Sequence, residues 1–376
     1  MTRFKSVDVF RGLCIFYMIF GHMIYWWISP TDTWLYEVIW NYGAIFGGGG
    51  FLLVSGMSAA LLYKRGLVKA QNNQEFSLKT IRNEYIIRAS LILFISMIWN
   101  TIGTIYMGLP GVWLWFVLQT ISISLLMVWP LLKTSKIFRI FICFISWISN
   151  EFIYVWLTPY AGQENILGYF FYFLYNSPEQ NVILGYFPFL LLGTVIGDIL
   201  FDAGRINNLE KQHSYLKNKL FKPIIIGGFI LIFFGLGYKF PNIANKETFS
   251  SHMFILGFEF LIFAFLVFLK DYRRFKLKRS YKFFEFYSFY SFTMFLSHHL
   301  LFFLFQPQFN SMQIWFLIIP IIIIWTLLFR ILHKNWEKYI SLKFLINKSA
   351  IFFARKIDLI KPNKPYFKYN LKEKFN

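Results

Sequence analysis

Three ionisable side chains fall within one otherwise apolar stretch near the N-terminus, SVDVFRGLCIFYMIFGH: Asp8, Arg11 and His22. On a helix turning about 100° per residue, Arg11 and His22 come out only about 20° apart around the axis, and Asp8 precedes Arg11 by about one turn. The three share a stripe, with His22 about 16 Å farther along the helix than Arg11. Ionisable groups are costly against lipid, so this stripe must face protein or water. It supports two readings. One is an imidazole exchanging a proton near neutral pH beyond an Asp–Arg pair. The plainer one is an ion pair anchoring the helix, plus one hydrogen-bonded core histidine.

A second histidine pair, His298 and His299, lies in SFTMFLSHHLLFF. His298 is about as far from the start of its apolar stretch as His22 is from the start of its own, which predicts similar depth for the two rings in the outer half. His298 and His299 point about 100° apart and need not share a role. Without a third ligand at tight spacing the pair does not make a metal site, and none is expected. Asn100, Gln119 and Glu151 reach similar depth, and Glu259 falls near the middle of its stretch. Each alone reads as an interhelical hydrogen bond; together they read as the lining of a polar cavity. Asp198 sits nearer the inner end and reads as structural.

The elements that must position these residues are transmembrane helices. Of 376 residues 57% are hydrophobic and only 15% charged, too few charges to cover a soluble domain of this length. The apolar residues come in blocks long enough to cross a bilayer core. We expect an all-α, polytopic bundle of about ten spans, near 9–29, 43–63, 84–107, 112–132, 137–157, 182–201, 223–240, 250–269, 286–305 and 313–333. The first is too long for a signal peptide and has no cleavage motif, so it reads as a retained span. On this map all of the 38 Lys and Arg except Lys239 and Lys246 fall on one face, while Asp32, Glu37, Glu164, Glu179 and Glu247 fall on the other. The positive-inside rule makes the basic face cytoplasmic, with both termini there. A miscounted span would scramble that partition.

The outer loop at about 158–181 is rich in Tyr and Phe and has no Lys or Arg; it reads as an aromatic belt or as a cap over a site. Gly43, Gly47, Gly48, Gly49 and Gly50 open the second span, for close helix packing or for a helix break. Cys14 and Cys143, each alone in an apolar block, set up no disulfide framework. The chain divides into a transmembrane domain, 1–335, and a basic cytoplasmic tail, 336–376, drawn to anionic lipid. Its basic charge lies on a membrane face with no nucleic-acid motif beside it, so no nucleic-acid role is expected.

VDVFRGLCIFYMIFGH resembles the first-span signature of the heparan-α-glucosaminide N-acetyltransferase-like membrane family, which is similar to the wider acyltransferase type 3 family. Asp8, Arg11, Gly12 and His22 stand at the matching positions. FLLVSGMSAAL, IRNEYIIRASLILF, VWLWFVLQTISISLL, LGYFPFLLLGTVIGDIL and SFTMFLSHHLLF resemble further family segments in the same order, with His298 on the late histidine. The likeness runs over about residues 5–305. Gln119 stands where relatives often have His, Phe295 where Tyr is common, and no Gln-Pro immediately follows His298. The resemblance implies an acyltransferase moving an acyl group, most simply acetyl, from cytoplasmic acyl-CoA to an acceptor, often a sugar, at the outer face of the plasma membrane. His22 is then the expected catalytic residue, as general base or as acyl carrier. His298 would orient it, stabilise the oxyanion or bind acceptor. Asp8, Arg11, Arg82 and Arg88 become candidate donor contacts, and Asn100, Gln119 and Glu151 candidate cavity residues. The rival expectation is a transporter or lipid-linked-sugar flippase, against which stands the lack of a repeat between the two halves.

Overall fold

The computed structural model describes residues 4–43, 46–72, 77–108, 111–175, 181–238, 248–272 and 282–360. Its elements are α1 (Lys5–Trp27), α2 (Trp34–Gly43), α3 (Gly48–Asn72), α4 (Leu78–Met107), α5 (Val117–Leu131), α6 (Lys136–Leu157), α7 (Ile166–Tyr175), α8 (Ile183–Gly204), α9 (Leu209–Leu216), α10 (Lys222–Tyr238), α11 (Phe249–Val267), α12 (Lys282–Phe289), α13 (Ser291–Ser297), α14 (Gln313–Trp336) and α15 (Leu342–Ile360). Among the described residues eight helices are long and apolar enough to cross a membrane, and α5, α7 and Ser291–Phe303 are shorter apolar helices. The ten expected spans all correspond to helices, so the chain is a polytopic helical bundle and an integral membrane protein. Lys239 and Lys246, the two exceptions to the charge partition, lie outside the described residues, as do Glu179 and Glu247.

Three spans differ from expectation for local reasons. The second does not begin at 43, where Gly43 closes α2, but at Gly48, and it continues to Asn72. The fourth begins only at Val117: the indoles of Trp113 and Trp115 both donate to the Phe173 carbonyl, which holds the chain before α5 in an irregular path. The ninth is broken at Tyr290 and tightens into a 3-10 turn over His298–Phe303.

Close backbone approach holds the centre together. On Gly56 of α3 a Cβ would sit 1.8 Å from the Leu190 carbonyl oxygen of α8, and on Gly193 of α8 it would sit 2.0 Å from the Leu53 oxygen. Only glycine allows that contact, and apolar side chains alone gain little from associating in lipid. Pro188 interrupts α8, and a proline leaves the carbonyl four residues back without its helical donor. The Ser146 hydroxyl of α6 donates to that Leu184 oxygen at 2.8 Å, and the Trp147 indole donates to the Gly185 oxygen at 2.8 Å. Nearer the basic ends of the helices Arg139 of α6, 1% exposed, donates to Thr194 at 2.7 Å and pairs with Asp198 of α8. One arginine of the basic face is thus a buried clamp between two helices.

Hydrogen bonds fix α1 at both ends. The backbone N–H groups of Lys5 and Ser6 donate to the Asp271 carboxylate at 3.1 and 3.4 Å, at the inner end of the α11 span. At the outer end Phe309 N–H donates to the Trp27 oxygen at 3.0 Å, Ser29 N–H to the Phe309 oxygen at 2.8 Å, and the Trp27 indole to the Leu301 oxygen at 3.2 Å. These bonds set the register of α1 against the ninth span. Within the tail, α15 packs on α4 through the stripe Ile346, Ala350 and Ala354. Its start is tied to α13, with Leu342 N–H donating to Thr293 Oγ1 at 3.0 Å.

Candidate active site

His22 projects from α1 toward the 3-10 turn of the ninth span, where its Nδ1 lies 2.8 Å from His298 Nε2. The two rings are nearly parallel, 15° apart in plane. His298 is fully buried and its Nδ1 contacts the Phe295 carbonyl oxygen. A carbonyl only accepts, so His298 Nδ1 carries a proton. With both rings neutral, His298 Nε2 accepts from His22 Nδ1–H, and the lone pair of His22 resides on Nε2. His299 donates from Nδ1 to the same Phe295 oxygen at 3.2 Å, and its ring lies 4.1 Å from that of His298. The Phe295 backbone thus orients both histidines, which makes Phe rather than Tyr compatible with this arrangement. Trp26 stacks on His298 and Trp99 meets His299 edge-on.

Closer to the start of α1, Arg11 donates to Asp8 at 3.3 Å, to Ser288 of α12 at 3.1 Å and to Ser58 of α3 at 2.5 Å. One guanidinium therefore ties three helices together below the histidines. Arg82 is exposed on α4 and Arg88 is half-buried one to two turns on. Asn100 and Gln119, both buried, bond to each other at 2.8 Å, and Asn100 also donates to the Val112 and Leu114 carbonyls. This clamp fixes the outer part of α4, whose Trp99 faces His299. Glu151 accepts from the Phe249 N–H at 2.8 Å, at the first residue of α11. A carboxylate there satisfies an orphan helix donor, and nothing among the described contacts brings it to the histidines.

The chain matches the model of the heparan-alpha-glucosaminide N-acetyltransferase catalytic family over residues 3–234, more than half its length. The chain belongs to that family. A search of the curated proteins finds no match. Membership makes this family member a membrane enzyme of the acetyltransferase type in general terms. The matched segment holds Asp8, Arg11, His22, Arg82, Arg88, Asn100, Gln119 and Glu151. His298 lies beyond it, brought to His22 by the fold. Among the described residues no group of three or more His, Cys, Asp or Glu side chains has an arrangement that could hold a metal ion.

Two buried groups in α11 depart from the sequence reading. Glu259, expected to bond between helices, has no hydrogen-bond partner on either oxygen among the described residues. Its Oε1 lies against the start of α3, where a Cβ on Gly49 would sit 2.5 Å away. His252 has no role among the sequence expectations. It is buried, neither ring nitrogen is hydrogen-bonded among the described residues, and it packs between Trp147 and Tyr186. Its signal was present, as the one ionisable residue in the opening turn of an apolar span. The aromatic outer loop, through α7, contacts Trp113, Trp115 and Tyr154, not the histidine cluster, among the described residues.

Proposed function

We propose that this family member transfers an acetyl group from cytoplasmic acetyl-CoA to a hydroxyl or amine of a sugar acceptor at the outer face of the plasma membrane, with His22 as the proton acceptor. The observation that carries the reading is the His22–His298 contact at 2.8 Å. It turns the His22 lone pair onto Nε2, as a general base needs. In the reaction His22 Nε2 takes the proton of the acceptor as its oxygen or nitrogen attacks the thioester carbonyl. The C–S bond then breaks, the proton passes from His22 to the departing sulfur, and acetylated acceptor and CoA thiol result. As His22 becomes positively charged, its Nδ1–H bond to His298 becomes charge-assisted and strengthens. His298, held by the Phe295 carbonyl, thus acts as a positioning residue for His22.

Donor recognition follows from the basic inner face, which concentrates a polyanionic nucleotide. Arg82 and Arg88 are its candidate phosphate contacts. Arg11, engaged by Asp8, Ser58 and Ser288, holds the helices around the donor path. The test is CoA release and acceptor acetylation by purified protein. His22→Ala should reduce both to the level seen without protein while the variant still elutes as a folded particle. Turnover retained in that variant removes the assignment.

A further inference from the structure

A cavity of about 300 Å³ opens beside the histidine cluster, between the outer part of α4 and the 3-10 turn of the ninth span. Trp99, Ile102 and Tyr106 form one wall, and Leu300 and Phe303 the other, with His299 in the lining. No lining residue carries a formal charge with the histidine neutral. Its rim is open: Tyr106, Leu300 and Phe303 are all more than 60% exposed, at the ends of apolar helices. Exposed apolar side chains on membrane helices meet lipid, so in a bilayer the groove would join the lipid phase to the ring of His299. The His299 ring is 6.1 Å from that of His22.

We propose that this groove holds the hydrocarbon chain of the acceptor, so that the acceptor is an outer-leaflet amphiphile: a hydroxyl- or amine-bearing head carried on an alkyl or isoprenoid chain. The inference rests on the acyl-transfer reading above and adds the class of the acceptor. Three features select this occupant. The groove is apolar and opens sideways, which suits a chain that never leaves the bilayer. It lies at the outer end, since α4 ends at Met107 and the ninth span at Phe303, so its lipid comes from the outer leaflet. The charged nucleotide of a CoA donor belongs at the opposite, basic face. A long-chain donor would have to thread its tail past the histidines to reach the groove, whereas an outer-leaflet acceptor enters with its head already beside them.

The probes are methyl and octyl β-glucosaminide, which share a head offering hydroxyls and an amine. They are compared below the micelle-forming concentration, with the protein in nanodiscs and acetyl-CoA as donor. Wild-type protein should prefer the octyl compound in kcat/KM on the order of tenfold or more, because each buried methylene favours binding. Ile102→Trp and Leu300→Trp fill the groove and leave the His22–His298 pair in place. They should lower the octyl-to-methyl ratio at least fivefold and keep the methyl rate. Partition of the octyl chain into the bilayer is common to all three proteins, so the change in ratio isolates the groove. An equal ratio in wild type and both variants overturns the proposal. If wild-type protein acetylates neither compound, the acyl-transfer reading itself falls. Groove occupancy is then read by photolabelling with a diazirine-tailed glucosaminide: labelling of Trp99 that both variants abolish supports a chain site, and equal labelling in all three proteins overturns it.

Discussion

Replacing His298 by alanine removes the acceptor of the His22 Nδ1–H while leaving His22 in place. In the ground state a neutral hydrogen bond is lost. In the transition state the same bond would carry the growing imidazolium charge, and bonds to charged groups contribute about 1.5–3 kcal/mol. Since each 1.36 kcal/mol is a factor of ten in rate, kcat should fall roughly ten- to 150-fold. The KM for acetyl-CoA should hardly move, because the lost bond is made to His22 and not to the donor. His298→Gln places an amide oxygen near the position of Nε2 and should recover a large part of the rate. The assay is CoA thiol release under saturating acceptor, with size-exclusion elution and thermal melting as controls for folding. Unchanged kcat in a folded His298→Ala protein would refute the reasoning. So would equal loss in the alanine and glutamine variants with unaltered melting, because a bond to His22 Nδ1–H requires only an acceptor.

Other consequences follow from the packing. Arg139→Ala leaves Asp198 buried without its cation and should destabilise the protein by about 3–5 kcal/mol; the paired change Arg139→Met with Asp198→Leu should restore much of that in a thermal melt. Gly193→Leu cannot be accommodated where even a Cβ would sit 2.0 Å from the Leu53 oxygen, so folded protein recovered in detergent should drop sharply, whereas the same change at Gly227, where nothing lies within 4 Å, should be tolerated. Asn100→Ala removes donors from Gln119, Val112 and Leu114, with an expected cost of about 1–3 kcal/mol and faster hydrogen exchange over residues 111–116.

Depth along a helix axis is readable from a sequence; direction around the bundle is not. Span starts and the charge partition put His22 and His298 at similar height, but that their rings meet depends on how α1 and the ninth span rotate toward each other. The bonds from Trp27 to Leu301 and Phe309 that fix this rotation involve backbone carbonyls, which leave no mark in residue identities. Glu151 illustrates the limit: its depth was legible, yet it turns to the first N–H of α11. The glycines at the start of α3 are legible as a run, while the burial of Glu259 against Gly49 needs the packing of α11 on α3. A place such as that of Arg139, near other basic residues at a turn, looks the same in sequence whether the side chain snorkels outward or folds inward, here to Asp198.

The central claim is that His22 Nε2 faces the reacting thioester. Its most direct test is a structure of the protein bound to a non-hydrolysable thioether analogue of acetyl-CoA. The account predicts the nucleotide at the basic face, with the acyl end beside His22 Nε2 and leaving space for an acceptor atom about 3–3.5 Å from the carbonyl carbon. An analogue whose acyl end lies elsewhere, with the His22 ring sealed behind packed side chains, would contradict it.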